Sequence, residues 1–447
     1  MRRAGKAPAR YVVCPPRKRG GQNCAAGREI RPLFCAVFGL NTAVWHLKSA
    51  RGMSIIAPLP KRAVFLCFER VKEMVLQFAH RCFALAKREA VLTAALVLAV
   101  VSAFFVPPSA AYIGYIDWDT LALLFSLMAV MKGYQQAGFF IWLANGLLKH
   151  VRSSRALLAV LVFMPFALSM VVTNDVSLIT FVPFGLVVLR MSGQERQVVP
   201  LVVLQTLAAN LGSMLTPMGN PQNLYLYAKS GMSFGSLCLL MLPYVALSGV
   251  CIALLIVFRR PMPVRGSSVP VKLAGPRRLG VCTLGFALCL LGLFDVVSPI
   301  IICAATAIFL LFTDRPLLAS IDYSLLGIFA AFFIFIGNIS DIDLFRDFIS
   351  RALAGHVELV AVLASQVTSN VPAALLLSGF TDQWGALIVG CNLGGLGTLI
   401  ASMASLISYK AVSREYPERK GRYFALFTVS NIALLAILLA LSAALNA

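Results

Sequence analysis

The chain has 447 residues, 59% of them hydrophobic and only 13% charged. Soluble domains carry about 25% charged residues, so this composition excludes an ordinary soluble protein and points to one built inside a bilayer. Its net charge of +21 is no nucleic-acid signature: residues 1 to 52 hold eleven Lys or Arg against Glu29 alone. Most of the remaining excess lies in loops between apolar segments, as the positive-inside rule describes, where anionic headgroups of the lipid bilayer are partner enough.

Residues 1–52, Arg- and Pro-rich, read as a disordered basic arm or as an untranslated extension upstream of a start at Met53; no secretory signal pattern is present. Residues 53–89 read as an interfacial amphipathic helix, because Ala63 to Lys87 mixes apolar residues with Glu69, Arg70, Lys72, Glu73 and Arg81. The first transmembrane repeat is expected over 90–258. Ala90 to Val106 spans and stops at Pro107-Pro108, and the following loop lacks Lys and Arg, which places it outside. Trp118 to Lys132 returns, and Gln135 to Lys149 is an amphipathic stretch. The apolar block Ala156 to Leu189 has basic residues at both ends, Arg152 and Arg155 before it and Arg190 and Arg196 after it. Both ends therefore belong on the cytoplasmic side, which predicts a re-entrant hairpin with Val172-Thr173-Asn174-Asp175 at its tip.

Val198 to Tyr227 then crosses outward, yet it contains Pro217, Gly219 and Pro221 together with Asn210, Thr216, Asn220, Gln222 and Asn223. Broken backbone at membrane depth is tolerated only where it is buried in protein or lines a wet cavity, so this is expected to be a broken helix at a binding site. Phe234 to Phe258 leads back to a basic cytoplasmic linker, 259–278.

The second repeat, 279–447, opens with Leu279 to Phe294 and Ile300 to Phe312 and then echoes the first. Ile321-Asp322-Tyr323-Ser324 matches Ile116-Asp117-Trp118-Asp119, and the amphipathic Gly337 to Arg351 follows. Thr368-Ser369-Asn370-Val371-Pro372 matches the first tip. Asn392-Leu393-Gly394-Gly395-Leu396-Gly397-Thr398 matches the run from Asn210 to Thr216, with Ser402 and Ser405 in the places of Asn220 and Asn223. Three crossings separate the copies, and an odd number reverses direction. The expected fold is an all-α polytopic membrane protein of two inverted-topology repeats, each with a re-entrant hairpin and a broken transmembrane helix, the architecture of secondary transporters. Phe424 to Leu445 is the last span, leaving the N-terminus cytoplasmic and the C-terminus outside.

Half-helix N-termini suit an anion, and freed carbonyls and hydroxyls suit a hard cation such as sodium. Substrate is assigned to Asn174, Asp175, Thr216, Asn220, Asn223, Asn370, Thr398 and Ser402. The coupling ion is assigned to Thr173, Asn174, Asp175, Gly212, Thr368, Ser369, Asn370 and Gly394. The alternative for the glycines is close helix packing. Asp175, a carboxylate at membrane depth, needs a cation, a base or a proton; its simpler reading is a helix cap. Eleven cysteines without a C-x-x-C and four histidines without ligand spacing point to no metal centre or other cofactor beyond Na+ or H+. No histidine lies at a span centre, so a membrane protease is disfavoured.

The runs TND-x-x-L-x-T-F-x-PF from Thr173, ANLGSMLTPMGNPQNLY from Ala209, SNVPAALLLSGF from Ser369 and NLGGLGTLI from Asn392 resemble the ion transporter superfamily. That superfamily contains citrate-metal symporters, divalent anion:sodium symporters, arsenite permeases and a sodium/proton antiporter branch. The resemblance covers roughly residues 90 to 445 and implies transport of a small anion coupled to Na+ or H+, with Na+/H+ exchange and arsenite-type efflux as alternatives, and a homodimer. In the divalent-anion branch each tip carries Ser-Asn-Thr. Here the matching triplets are Thr173-Asn174-Asp175 and Ser369-Asn370-Val371, so each third position departs.

Overall fold

The structure, a computed structural model, describes residues 44–48, 54–58, 89–264 and 269–446. The chain divides into two compact units, residues 1–87 and 88–447. In the first, strands β1 (Val44–Lys48) and β2 (Ser54–Pro58) pair antiparallel, Val44 opposite Pro58 and Lys48 opposite Ser54. Both strands fall where the sequence predicts none, β1 inside the expected basic arm of 1–52 and β2 ahead of the expected helix of Ala63 to Lys87. β-Branched Ile55 and Ile56, and Pro58, which biases Ala57 toward extended backbone, are the physical reason. The rest of the arm, and Ala63 to Lys87, lie outside the described residues.

The described part of the second unit is helical. Its first half runs α1 (Ala90–Ala103), α2 (Ala111–Tyr115), α3 (Trp118–Gln136), α4 (Phe139–Leu148), α5 (Ser154–Leu168), α6 (Asn174–Met191), α7 (Val198–Gly212), α8 (Pro221–Ser230) and α9 (Phe234–Val257). After α10 (Pro276–Leu293) the same order returns as α11 (Pro299–Thr313), α12 (Arg315–Ala319), α13 (Tyr323–Ser340), α14 (Asp343–Leu353), α15 (Val357–Thr368), α16 (Asn370–Ser378), α17 (Trp384–Leu393), α18 (Met403–Glu415) and α19 (Lys420–Asn446). The two Ile-Asp echoes are helix caps. Asp117 Oδ1 accepts from the Thr120 amide at 3.0 Å, and Asp322 Oδ1 accepts from the Ser324 and Leu325 amides at 3.1 and 3.2 Å.

The halves are interlocked in reciprocal pairs. Helix α1 packs on α13 and α11 on α3; α6 packs on α18 and α16 on α8; α7 meets α18 and α17 meets α8. The hairpins α5–α6 and α15–α16 turn at Ser169–Thr173 and Ser369, as the sequence predicts. Every residue of α7 is buried, and α5, α6, α9, α18 and α19 surround it. By contrast α9 and α19 point Leu239 and Val429 outward at 70% and 66% exposure, a surface suited to lipid. Among the described residues six helical segments are long and apolar enough to cross a membrane: α6, α7 with its flanking 3-10 turns (Glu195–Leu215), α9, α10, α13 and α19.

Candidate functional site

Proline chemistry sets the first break. Pro217 opens a 3-10 turn, Pro221 opens α8, and the residue before each, Thr216 and Asn220, is extended. The interrupted ladder frees carbonyls, and Asn223 Nδ2 lies 3.4 Å from those of Ser213, Met214 and Thr216. Gly219 is required there, because a Cβ would sit 2.1 Å from the Ser213 oxygen. In the second break Gln366 on α15 does this work, its Nε2 donating to the oxygens of Gly394 at 3.0 Å and Leu396 at 2.9 Å.

Side chains at the centre repeat across the halves. Asn210 Nδ2 donates to Ser405 Oγ at 3.4 Å, and its repeat equivalent Asn392 donates to Asn223 Oδ1, the equivalent of Ser405, at 2.7 Å. Each bond joins one half to the other. Thr216 Oγ1 donates to the Met170 carbonyl, and Thr398 Oγ1 donates to the Gln366 carbonyl at 3.2 Å, each four residues before its tip asparagine. Gly212 and Gly394 face Ser169 and Ser365, which are likewise equivalent positions. Asn210 Oδ1 also accepts from Asn174 Nδ2 at 3.0 Å and Ser402 Oγ at 3.2 Å, so the first tip and both breaks meet on one amide.

Beside this network lies a cavity of about 100 Å³ whose lining includes Lys132 and Gln135 from α3, Thr173 and Asp175 from the first tip, Asn220 from the break and Asp322 before α13. Asp175 Oδ1 and Asn220 Oδ1 are buried and lack a hydrogen-bond donor. A desolvated carboxylate oxygen of this kind is compensated by a cation or a proton, and hard cations take oxygen ligands.

The family model described as citrate transporter matches residues 82–382. The chain belongs to the citrate transporter family. It is 28% identical over 326 residues to an uncharacterized transporter of Methanocaldococcus jannaschii, covering 73% of this chain and 89% of that relative. It is 30% identical over 316 residues to the inner membrane protein YbiR of Escherichia coli, covering 69% and 83%. Among solved structures it is similar to the YdaH transporter of Alcanivorax borkumensis, described as having an unusual topology, at a TM-score of 0.47 and 15% identity over 74% of this chain and 86% of that one. This citrate transporter family member is thus a multi-pass membrane transporter.

Within the transporter, Asn174, Asn220, Asn223, Asn370 and Ser402 are buried at or beside the centre. Asn370 is held through its backbone amide, 3.0 Å from the Ala401 oxygen. Ser369 has φ +78, strained for a residue with a side chain, and so fixes the second tip. Thr398 and Thr368 are exposed; Thr398 is tied to Gln366 and Thr368 Oγ1 turns back to the Ala364 oxygen at 3.0 Å. Both stand apart from the asparagine network. Gly212 and Gly394 serve close packing, with a Cβ placed 2.0 Å from the Phe166 oxygen and 2.5 Å from Ser365 Oγ respectively. The α6 cap position is Thr173, so Asp175 lies inside the first turn and is not the cap.

Sequence reasoning missed Lys132, Gln366 and the site role of Asp322. Lys132 read as the end of a span and Asp322 as a repeat marker; the only available signal was a Lys closing an apolar helix. Symmetry also fails among the charged groups. Lys229 at the end of α8 pairs with Asp117 at 3.6 Å, whereas Asp322, the counterpart of Asp117, lines the cavity with no ion pair among the described residues. On the Asp117 side Tyr225 also bridges the halves, its hydroxyl 2.8 Å from Ser378 Oγ and its ring packed on Phe333.

Proposed function

We propose that this protein is a secondary active transporter of a small anionic solute (a carboxylate, a citrate–metal complex or an inorganic oxyanion) coupled to Na+ or H+. The carrying observation is the reciprocal pair of bonds, Asn210 to Ser405 and Asn392 to Asn223, which centres two oppositely directed broken helices on one point. Substrate is held at the tips by Asn174, Asn370 and the free amides opening α6, and the coupling ion by Asp175, Thr173 and Asn220. The basic linker of 259–278 and the basic end of α18 support a cytoplasmic membrane location with the N-terminus inside. In that orientation the conformer is closed outside by Lys229–Asp117 and Tyr225–Ser378, and its cavity lies toward the cytoplasm. Transport exchanges the closed and open sides.

The test is uptake of labelled citrate with and without Mg2+, sulfate and arsenite into proteoliposomes under an imposed Na+ or proton gradient. Asn174→Ala with Asn370→Ala abolishes uptake of whichever solute is carried; unchanged uptake overturns the reading. The unpartnered Asp175 carboxylate favours one alternative, Na+/H+ exchange without an organic substrate, which sodium-driven proton movement in vesicles lacking all four solutes identifies.

A further inference from the structure

We infer that Lys132 is the resident counter-cation of Asp175, occupying the carboxylate when the coupling ion has left and yielding it when the ion arrives. The inference rests on the reading of Asp175 as the coupling-ion group. Its grounds are geometric. Lys132 and Asp175 line the same cavity of about 100 Å³, one from α3 and the other from the hairpin tip. Asp175 Oδ1 is buried without a donor, and Lys132 enters no ion pair among the described residues.

The charged groups around Asp175 are few. Helix α3 contributes Lys132 and the segment before α13 contributes Asp322; the break contributes the neutral Asn220, whose Oδ1 is also unpartnered at 3% exposure. From α18 the charged contact to α6 is Glu415 with Arg190, at the opposite end of α6. Asp322 spends Oδ1 on the α13 amides. Among the described residues Lys132 is therefore the one cationic side chain on the cavity lining. Its ammonium rides on a flexible four-carbon stem, so it can reach a carboxylate or withdraw without backbone movement. An empty carrier with a bare buried carboxylate would be costly to move across the membrane, and a tethered ammonium lowers that cost. Once displaced, the same ammonium is left facing the cavity as a positive charge for an anion.

Cation binding thus becomes a competition, which purified protein in detergent reports through the NaCl dependence of its melting temperature, against choline chloride, at two pH values. In Lys132→Gln the half-saturating Na+ concentration, or the proton concentration at the midpoint if the coupling ion is H+, falls about tenfold or more, the scale of a neighbouring opposite charge. Lys132→Arg keeps the charge and stays within about threefold of the unmodified protein. Asp175→Asn loses the ion response, and adding Lys132→Gln to it changes nothing further. If Asp175→Asn loses the response while Lys132→Gln matches the unmodified protein, the counter-cation role is wrong and the ion site stands. Lys132→Arg behaving like Lys132→Gln also overturns it, because charge is then not the agent. If Asp175→Asn responds normally to both ions, the reading of Asp175 itself fails.

Discussion

Asn210→Ala removes three side-chain hydrogen bonds at once: those from Asn174 Nδ2 and Ser402 Oγ to its oxygen, and the one from its amide to Ser405 Oγ. All four residues are 5% exposed or less, so no solvent stands ready to replace it. A buried group left without a partner costs about 1 to 3 kcal/mol. The Asn174 amide loses its acceptor outright, Ser402 can rotate its hydroxyl, and Ser405 loses only a donor, which gives an expected destabilisation of about 2 to 4 kcal/mol. Asn431→Ala is the matched control. Asn431 is equally buried in α19, but its amide donates only to the Phe427 oxygen and its own oxygen is already unpartnered. That variant should cost about 1 kcal/mol or less. Thermal melts of the detergent-purified variants, read side by side, give the comparison. If Asn210→Ala melts with or above Asn431→Ala, the central network does not hold the two halves together and the argument built on it is wrong.

The paired glycines should separate by the kind of atom they face. Gly394→Ala meets the Ser365 side chain, Cβ included at 2.6 Å, and the Gly390 oxygen at 2.9 Å, and costs about 3 kcal/mol; Gly212→Ala meets the Phe166 backbone oxygen at 2.0 Å and costs more, while Gly146→Ala, with open space around it, is neutral or slightly stabilising in the same melts. Asp117→Asn keeps the cap of α3 but breaks the pair with Lys229, a contact between partly exposed side chains worth about 1 kcal/mol at most. Its melting temperature should barely move, yet thiol labelling of a Ser378→Cys reporter should quicken about two- to fivefold as the closed side opens more often. An unchanged labelling rate removes the latch from the transport cycle.

The fold was legible because bilayer physics writes itself into one dimension. Basic residues on both flanks of Ala156 to Leu189 had to mean a hairpin, and Pro217 and Pro221 had to break a helix. The asparagines of the centre were also legible, since an amide at membrane depth needs a partner. Which partner was not. The Asn392 to Asn223 bond depends on how oppositely directed segments register in space, and no local pattern encodes that. Gln366 was hidden because it sits inside an amphipathic-looking helix before the tip, and its value lies in the carbonyls it collects from another segment. Thr368 and Thr398 show the same limit: repeat position identifies them, but not the direction of each side chain, which turns to the Ala364 and Gln366 carbonyls. The strand pair at 44–58 was missed because basic and proline-rich composition outweighed two short β-branched runs.

What separates function from scaffold here is where the repeat stops being a repeat. Asn210 Oδ1 accepts two bonds where Asn392 Oδ1 has no partner, but the amide bonds that cross between the halves, Asn210 to Ser405 and Asn392 to Asn223, come as an equivalent pair. The ionisable groups do not. Asp175 stands where the second half has Val371, and Lys132 on α3 stands where α13 has Gly337. A twofold frame with one carboxylate at a single tip and one ammonium on α3 would have a direction built into it, because ion binding there would bias one half and not its mirror. Moving the carboxylate tests that argument. Asp175→Thr with Val371→Asp should rebuild an ion response at the second tip with no Lys132 to compete, and so at a lower half-saturating concentration than in the unmodified protein. A double variant that binds no ion would mean that the asymmetric surroundings of Asp175, and not the tip geometry the halves share, make the site.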